Sequence, residues 1–507
     1  MNFQSILFSN AGTRISGEEP DYFHDLNLDQ VVGAIVEGKQ EYDLKPFYHT
    51  PLRSAEEVTY RQEVMKDAEK PELLSALKAF AGNMRSMREL LKRNEKLHYH
   101  YQKEFYFLKA VRTYCEAVQG LFLELSEAGP DSKGFQGFYG YLREYTASAP
   151  FLGLVEEERA IRSEFDAVKY NMLVKGECVR VSGYEGERNY SDEIESTFEK
   201  FQQGAVKSFL RDYQTGYDMN HVEAAILDNV AKLYPEIFGT LDHFCNAHGD
   251  FIDQTVLTFD REIQFYVAFI DYAARFRSRG LAFCYPGITR SKEIYDYGGF
   301  DLALANNLMK NGGEVVCNDF CLKDQERIFV VTGPNQGGKT TFARAFGQLH
   351  YLSGIGCMVP GTRAQLFLPD RIYCHFEREE AAVAHVGKLK DDLIRIYAIL
   401  KEATPDSIVI INEIFSSATL KDAISLGRKI FDRMNALDLI GVCVTFIDEL
   451  ASYSDKIVSL SSTVLAEDPS VRTYTIIRKP ADGLAYAISI AEKYRLTYNS
   501  LKERIRA

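Results

Sequence analysis

The sequence predicts a multidomain protein in which an α-helical core or lever region precedes an α/β domain. Its 507 residues exceed what one compact core usually holds, so roughly two to four domains are expected. From about residue 46 to 280, apolar residues recur at helical spacing. From about residue 285, apolar strands alternate with helical segments, which indicates a parallel sheet with helices on both faces.

These patterns divide the chain into three segments. Residues 1–45 form a mixed, acidic N-terminal segment, residues 46–284 the helical core or lever domain, and residues 285–507 the α/β domain. Net charge is −13, so any contact with nucleic acid must come from a local basic patch. The sequence has no run of about 18 apolar residues and no recognisable signal peptide, so we expect a cytoplasmic protein without a membrane span. The nine cysteines are scattered along the chain, and we expect their thiols to be reduced.

Within the helical region, Ser54 followed by Glu57 forms a capping box that predicts the start of a helix. A glycine-rich break is predicted at Gly129–Gly140, and a β-hairpin containing Val174, Val179 and Val181 is predicted as an insertion at 172–190. Helical pattern resumes at Ser191. The longer helices are predicted at Glu72–Leu91, Lys103–Ser126 and Glu156–Tyr170.

The α/β region is predicted from apolar runs separated by helical segments. Strands are expected at Arg327–Thr332, Ser407–Ile411, Leu439–Phe446, Lys456–Leu460 and Thr473–Arg478. Helices are expected at Thr340–Ser353, Leu420–Leu437, Leu484–Tyr494 and Ser500–Ile505.

A phosphate-binding loop is predicted between the first of these strands and the helix that follows. The segment fits the pattern G-x-x-x-x-G-K-[ST], whose glycines let successive backbone N–H groups point at a phosphate beside the positive end of a helix. Lys339 is expected to reach the β- and γ-phosphates of ATP, and the Thr340 hydroxyl to ligate Mg²⁺. The nucleotide-binding residues are Gly333, Pro334, Asn335, Gln336, Gly337, Gly338, Lys339, Thr340 and Thr341.

A second strand that ends in polar residues completes the predicted site. Asn412 and Glu413 follow the apolar run Ile408–Ile411. Glu413 is placed to orient and deprotonate the attacking water, so Glu413 and Lys339 are the catalytic candidates. An aspartate would normally stand at position 412 to hold Mg²⁺ or its water. Asn412 is neutral and a weaker anchor, reaching the metal through water.

The loop T-G-P-N-Q-G-G-K-T-T resembles that of the MutS family, the ATPases of DNA mismatch repair. The similarity is strong over the last 200 residues, where it also includes Asn318-Asp319, Gly356–Pro360 and Ala485–Ala491 with Leu496. It is weak over the helical part, where Pro51-Leu52, Arg61 and Val64 resemble the opening of the family's helical core. The resemblance implies a helical core and lever leading to an ABC-type ATPase domain. It also implies that two subunits, in a homodimer or a heterodimer with a paralogue, close each nucleotide pocket together.

The chain departs from the family pattern at several positions. Asn412 replaces the aspartate of an Asp-Glu pair, Phe446 replaces a phosphate-sensing histidine after Thr445, and Phe415–Leu420 replaces a G-R-G-T-S-T segment. The segment Ala384–Leu389 lacks an obvious serine to contact the partner's phosphate, and Gly387 and Lys388 are the alternative candidates for that contact. Such losses can slow turnover by powers of ten. We expect tight, Mg²⁺-assisted ATP binding with slow hydrolysis, in a short member without the N-terminal mismatch-recognition domain.

Three functions remain open. Basic residues with nearby aromatics at Arg85–Lys103, and a second cluster at Arg275–Arg279, suit an ATP-switched dimeric clamp on DNA structures, although such residues are also typical of a solvated helix face. The acidic balance instead favours an ATP-driven module that binds protein or ribonucleoprotein without DNA recognition. A nearly inactive ATPase that acts as structural partner to an active paralogue is the third.

Overall fold

The computed structural model describes residues 3–10, 15–186, 219–377, 388–413, 415, 418–465, 467–468, 471–481, 496, 498 and 502. The predictions for Ser191–Asp218, for Ala384–Gly387 and for the two helices near the end of the chain lie wholly or almost wholly outside these residues.

Helices and strands together form a mixed architecture. The α-helices are α1 Leu28–Ile35, α2 Lys45–His49, α3 Ala55–Ala68, α4 Pro71–Lys96, α5 His100–Ala128, α6 Lys133–Thr146, α7 Ala149–Asp166, α8 His221–Leu233, α9 Pro235–Ala247, α10 Gln254–Arg277, α11 Leu302–Asn311, α12 Lys339–Gly354, α13 Lys388–Glu402 and α14 Leu420–Leu437. The strands are β1 Tyr170–Lys175, β2 Cys178–Gly183, β3 Phe283–Cys284, β4 Gly287–Thr289, β5 Ile294–Gly299, β6 Asn318–Leu322, β7 Ile328–Thr332, β8 Val359–Pro360, β9 Arg363–Phe367, β10 Ile372–Phe376, β11 Ile408–Asn412, β12 Ile440–Val444, β13 Ile457–Val464 and β14 Arg472–Arg478.

The chain forms two compact units. One comprises Met1–Phe3, Glu72–Gly129 and Gly137–Asp260, and the other comprises Gln4–Pro71, Pro130–Gln136 and Arg261–Ala507. This division differs from the predicted boundaries at residues 45 and 284, because residues 4–71 and 261–284 belong to the same unit as the α/β region. Ile6, for example, is fully buried there and accepts a hydrogen bond from Tyr266 Oη at 2.8 Å.

In the first unit, the described residues form helices and one β-hairpin. The predicted hairpin is confirmed as the antiparallel pair β1–β2, with Val174 opposite Val179. The described helices after residue 220 confirm the resumed helical pattern. The predicted break at Gly129–Gly140 is wrong beyond its first residues: Gly129, at φ 54°, ends α5, but α6 begins at Lys133.

The second unit contains a six-stranded sheet in the order β10-β11-β12-β7-β13-β14. All neighbours are parallel except the pair β13–β14, so the parallel sheet predicted from the sequence is confirmed with an antiparallel edge. A separate four-stranded sheet has the order β4-β9-β5-β6. In the parallel part, β7 and β11 flank β12, and their carboxyl ends therefore share one edge of the sheet.

Helices cover both faces of the six-stranded sheet, as predicted. On one face, Val330 of β7 and Val409 of β11 belong to a buried cluster that includes Ile396 of α13 and Phe431 of α14. On the other face, α12 packs against Phe329 of β7, the ring centroids of Phe329 and Phe346 lying 5.9 Å apart. Alternate residues of β7 thus face opposite layers, which fixes the register of the strand and the start of the loop that follows it.

The predicted capping box is confirmed: the Ser54 side chain accepts from Glu57 N, and the Glu57 carboxylate accepts from Ser54 N. Farther along α3, Arg61 is fully buried. Its guanidinium donates to the carbonyls of Leu7 at 3.2 Å and Ile355 at 2.9 Å, and it lies 5.0 Å from the ring of Phe265. One charged side chain therefore ties together segments that are far apart in sequence.

Among the described residues, no helix combines the length and the apolar composition that crossing a membrane requires.

Replacing Arg61 by methionine should lower the free energy of unfolding of the second unit by about 3 kcal/mol, because two buried carbonyls lose a charged donor while the apolar stem is retained. Urea denaturation followed by circular dichroism measures this effect. Arg53→Met is the matched control, since Arg53 is exposed and its loss should cost less than about 0.5 kcal/mol. Equal effects of the two substitutions would contradict a structural role for Arg61.

Candidate functional site

The site lies at the carboxyl edge of the parallel strands. Val331 of β7 and Asn412 of β11 are both paired with Val444 of β12, so the two outer strands end at the same level. The backbone hydrogen bonds continue past the strand ends, from Glu413 N to Val444 O at 3.0 Å and from Thr445 N to Val331 O at 3.2 Å. This register brings the glycine-rich loop and the Asn412-Glu413 pair to one place, as the sequence predicts.

The loop between β7 and α12 needs glycine at specific positions. Gly333 and Gly338 have φ angles of 113° and 92°, a region that residues with a Cβ rarely adopt. A Cβ on Gly333 would lie 2.8 Å from Ser462 Oγ, and one on Gly337 would collide with the same oxygen. Ser462 of β13 therefore sets how closely the loop approaches the sheet. The loop ends where α12 begins, which aims the free N–H groups of the helix into the site.

Lys339 is the first residue of α12 and is buried, with 4% of its surface exposed. Its Nζ donates to the carbonyls of Gly333 and Pro334, each at 3.0 Å. Burial, reinforced by the positive charge of Arg472, lowers the pKa of Lys339 to about 8, against the opposing effect of Glu413. The ammonium group is thus held inside the curve of the loop and is incompletely solvated, which suits it to pair with a multiply charged anion.

Thr340 and Asn412 are linked directly. Thr340 Oγ1 donates to Asn412 Oδ1 at 2.8 Å, and Asn412 is 8% exposed. This bond joins the start of α12 to the end of β11. A hydroxyl and an amide oxygen side by side are hard oxygen ligands of the kind Mg²⁺ takes, although without the negative charge of a carboxylate.

Glu413 follows Asn412 in a left-handed backbone conformation, with φ 55°. The pKa of its carboxyl is raised by burial and by Glu377, and lowered by Lys339. A carboxylate with a raised pKa beside a cation is a better proton acceptor than a solvated one, as a general base requires. The left-handed backbone is unusual for a non-glycine residue.

Phe446 occupies the position after Thr445 at the end of β12. Lys339 Nζ lies 4.2 Å from the centroid of its ring, which is 50% exposed. This cation–π contact helps to hold the ammonium group, but an aromatic hydrocarbon ring has no N–H with which to contact a phosphate.

A cavity of about 420 Å³ opens beside the loop. Its polar side includes Gln336–Thr341 and Glu413, together with Asp301, Glu314 and Asn318. Its apolar side includes Leu304 and Leu308 of α11 with Val315 and Val316. A pocket of this size with one apolar wall and a few converging polar groups is typical of sites for small ligands. The described residues therefore fit a ligand with an anionic part and a flat apolar part.

Asn318 and Tyr474 position this cavity from the opposite side. Asn318 Nδ2 donates to Tyr474 O at 3.2 Å, and its Oδ1 accepts from Ile476 N at 2.6 Å. The amide thereby fastens β6 to β14 and places the Tyr474 backbone next to Gly338. Asn318 is singled out by the sequence, whereas Tyr474 is not.

The structure places the remaining predicted residues around the same loop. Pro334 is buried and supplies a carbonyl to Lys339, Thr341 lines the cavity, and the exposed Asn335 presents its carbonyl to Arg472 Nε at 3.2 Å. Sequence reasoning missed Ser462, Arg472 and Tyr474. They come from the β13–β14 hairpin, more than 120 residues after the loop, and no local motif marks them.

Comparison with known proteins places the similarity over the same region. The family model described as MutS domain V matches residues 329–503. The chain is 27% identical over 191 residues to Endonuclease MutS2 of Thermus thermophilus, covering 37% of this chain and 26% of that protein. It is 25% identical over 228 residues to DNA mismatch repair protein MutS of Orientia tsutsugamushi, covering 44% and 26%. The matched residues thus span about a quarter of each relative's length.

Proposed function

We propose that this chain, which belongs to the MutS family, is a Mg²⁺-dependent ATPase of slow turnover that acts as an ATP-switched dimeric clamp on DNA structures. The observation that carries the proposal is the meeting of Lys339, Thr340, Asn412 and Glu413 at one edge of a parallel sheet. The strand–loop–helix arrangement and the sheet order support a P-loop domain of ABC type.

In this proposal each residue has a defined task. The backbone N–H groups of the loop and of the first turn of α12 bind the phosphates, and Lys339 moves from the carbonyls of Gly333 and Pro334 to phosphate oxygens. Thr340 and, through water, Asn412 hold Mg²⁺, which would neutralise phosphate charge. Glu413 orients the attacking water and accepts its proton. Leu304, Leu308 and Val316 offer an apolar wall for the adenine ring.

Two features support slow hydrolysis with intact binding. Asn412 keeps the hydrogen bond to Thr340 but contributes no charge to a metal ion. Phe446 stabilises Lys339 without offering a donor to the γ-phosphate. Loss of one hydrogen-bond donor to the transition state typically lowers the rate by about 10²–10³. Binding of the phosphates by the loop and Lys339 does not depend on that donor.

Dimerisation has support from exposed apolar side chains on two helices of the α/β region. Ile394 and Tyr397 of α13 are 54% and 69% exposed, and Leu420, at the start of α14, is 61% exposed. Ile394 and Tyr397 lie about one turn apart on α13, and neighbouring exposed apolar groups of this kind can mark a surface that binds another protein. A second copy of the chain is the partner that family membership favours.

The support for DNA binding comes from a few basic side chains in two short segments. Lys92 and Lys96 of α4 are exposed, and Arg88 of the same helix is paired with Asp260. In the second predicted cluster, Arg277 is paired with Glu69 at 2.5 Å. Part of each basic cluster therefore serves the fold. The exposed charges of α4 are the candidates for phosphate contacts, and the ATP-driven protein or ribonucleoprotein module remains the alternative.

Lys339→Met should weaken ATP binding by about 10- to 100-fold, because a charged donor to the phosphates is lost. Glu413→Gln should leave the ATP affinity within about threefold of that of the unsubstituted protein but lower the turnover rate by about 10²–10⁴, because only proton transfer is affected. Titration with a fluorescent ATP analogue and release of phosphate measure the two effects. If both substitutions weakened binding equally, the separate roles of these residues would be incorrect.

DNA affinity of the ATP-bound protein should be measurable at about 50 mM salt and fall steeply by about 200 mM. Substituting glutamine for Lys92 and Lys96 together should reduce the slope of log affinity against log salt by about 1–2, because each phosphate contact contributes about 0.9. Branched and single-stranded DNA in a filter-binding or anisotropy assay provide the measurement.

The matched control replaces two exposed lysines of α14, Lys421 and Lys429, which changes the net charge equally. A slope reduced to the same extent by both pairs would show that net charge alone is responsible. No DNA affinity at low salt in the presence of ATP would favour the protein or ribonucleoprotein module.

A further inference from the structure

The helical unit contains a cluster of metal-ligating side chains that the nucleotide site does not use. His100 and Glu104 lie one turn apart on α5, and Asp242 lies on α9. His100 Nε2 is 2.6 Å from Asp242 Oδ1 and 3.6 Å from Glu104 Oε1. One ligand atom from each residue lies within 4.8 Å of the other two.

Residues four positions apart on a helix project from the same face, so His100 and Glu104 can hold one ion together. At metal–ligand distances of about 2.1 Å, ligand atoms lie about 3–3.5 Å apart. The 3.6 Å between His100 Nε2 and Glu104 Oε1 is close to this spacing. The 2.6 Å between His100 Nε2 and Asp242 Oδ1 would need to increase by less than about 1 Å. Because His100 is exposed, with 64% of its side chain accessible, an ion can enter from solvent.

Glu104 supplies a second, independent observation. It is 6% exposed, and its Oε2 has no hydrogen-bond partner among the described residues. A buried carboxylate oxygen without a partner is costly. A divalent cation held together with His100 and Asp242 would give this oxygen a partner.

The two helices are held in register beside the cluster. The rings of Tyr101 on α5 and Phe238 on α9 pack edge to face with centroids 4.7 Å apart. Tyr101 follows His100 directly, and Phe238 lies one turn before Asp242. Packing thus supports the ligand positions in addition to the His100–Asp242 contact, as a preformed metal site requires.

We propose that His100, Glu104 and Asp242 bind one divalent transition-metal ion of the zinc type, which links α5 to α9. One imidazole and two carboxylates suit Zn²⁺ and its neighbours better than Mg²⁺ or Ca²⁺, which prefer oxygen ligands alone. Three protein ligands leave a coordination position for water. The link closes a loop from residue 104 to residue 242, so binding stabilises the helical unit.

The test uses the chelator-treated full chain in excess Mg²⁺, with Co²⁺ as a spectroscopic probe and Zn²⁺ as competitor. One equivalent of Co²⁺ should give the intense visible absorption of a four- or five-coordinate ion, and Zn²⁺ should abolish it. Glu104→Gln, which preserves shape, and His100→Asn should each weaken binding at least about tenfold. Zn²⁺ should raise the unfolding temperature of the parent chain but not of these variants.

The matched control is His243→Asn. His243 is exposed and adjoins Asp242 on α9, but it does not belong to the cluster. It should bind Co²⁺ like the parent chain. The proposal is overturned if Co²⁺ shows only the weak spectrum of the hydrated ion, or if Glu104→Gln and His100→Asn bind as tightly as His243→Asn.

Discussion

The candidate site is organised around one buried ammonium group. Lys339 Nζ is held by the carbonyls of Gly333 and Pro334 and is covered by the ring of Phe446. A cation so poorly hydrated is expensive unless an anion completes its surroundings. The glycine conformations, the approach of Ser462 to the loop and the register of β7 against β12 all serve to hold this group at the sheet edge.

The hydrogen bond between Thr340 and Asn412 explains how the site can depart from the MutS sequence pattern without losing its shape. An asparagine oxygen accepts from the threonine hydroxyl just as an aspartate oxygen would, so α12 and β11 keep their relative position. What changes is charge. Glu413, at the end of β11, places a carboxyl near Lys339, whereas the proposed metal ligands Thr340 and Asn412 are neutral. The site thus keeps the geometry proposed to bind ATP but lacks the negative charge of an aspartate at position 412. This difference is the basis of the proposed slow turnover.

The sequence predicts those parts of the fold and the site whose conformation depends on residues close together in the chain. It does not predict the parts that depend on contacts between distant residues. The loop, its lysine and the Asn412-Glu413 pair lie in short consecutive runs whose periodicity and turn residues specify their conformation. The parallel sheet follows from alternating strands and helices. Ser462 and Tyr474 are fixed by pairing of β13 and β14, which no local pattern encodes. The predicted break near Gly134 was wrong because that glycine allows close packing: a Cβ would lie 2.6 Å from Val64 Cγ2.

The most direct test of the central claim is the pH dependence of Mg·ATP affinity. The pKa of Lys339 is lowered to about 8 by burial, and phosphates bound as proposed would raise it, so binding would favour the protonated form. Affinity should therefore be constant below about pH 7 and fall between about pH 8 and 10, by up to tenfold per pH unit. Lys339→Arg, which stays protonated, should remove that fall. An identical decline in both proteins would contradict the claim that the Lys339 ammonium group grips the triphosphate.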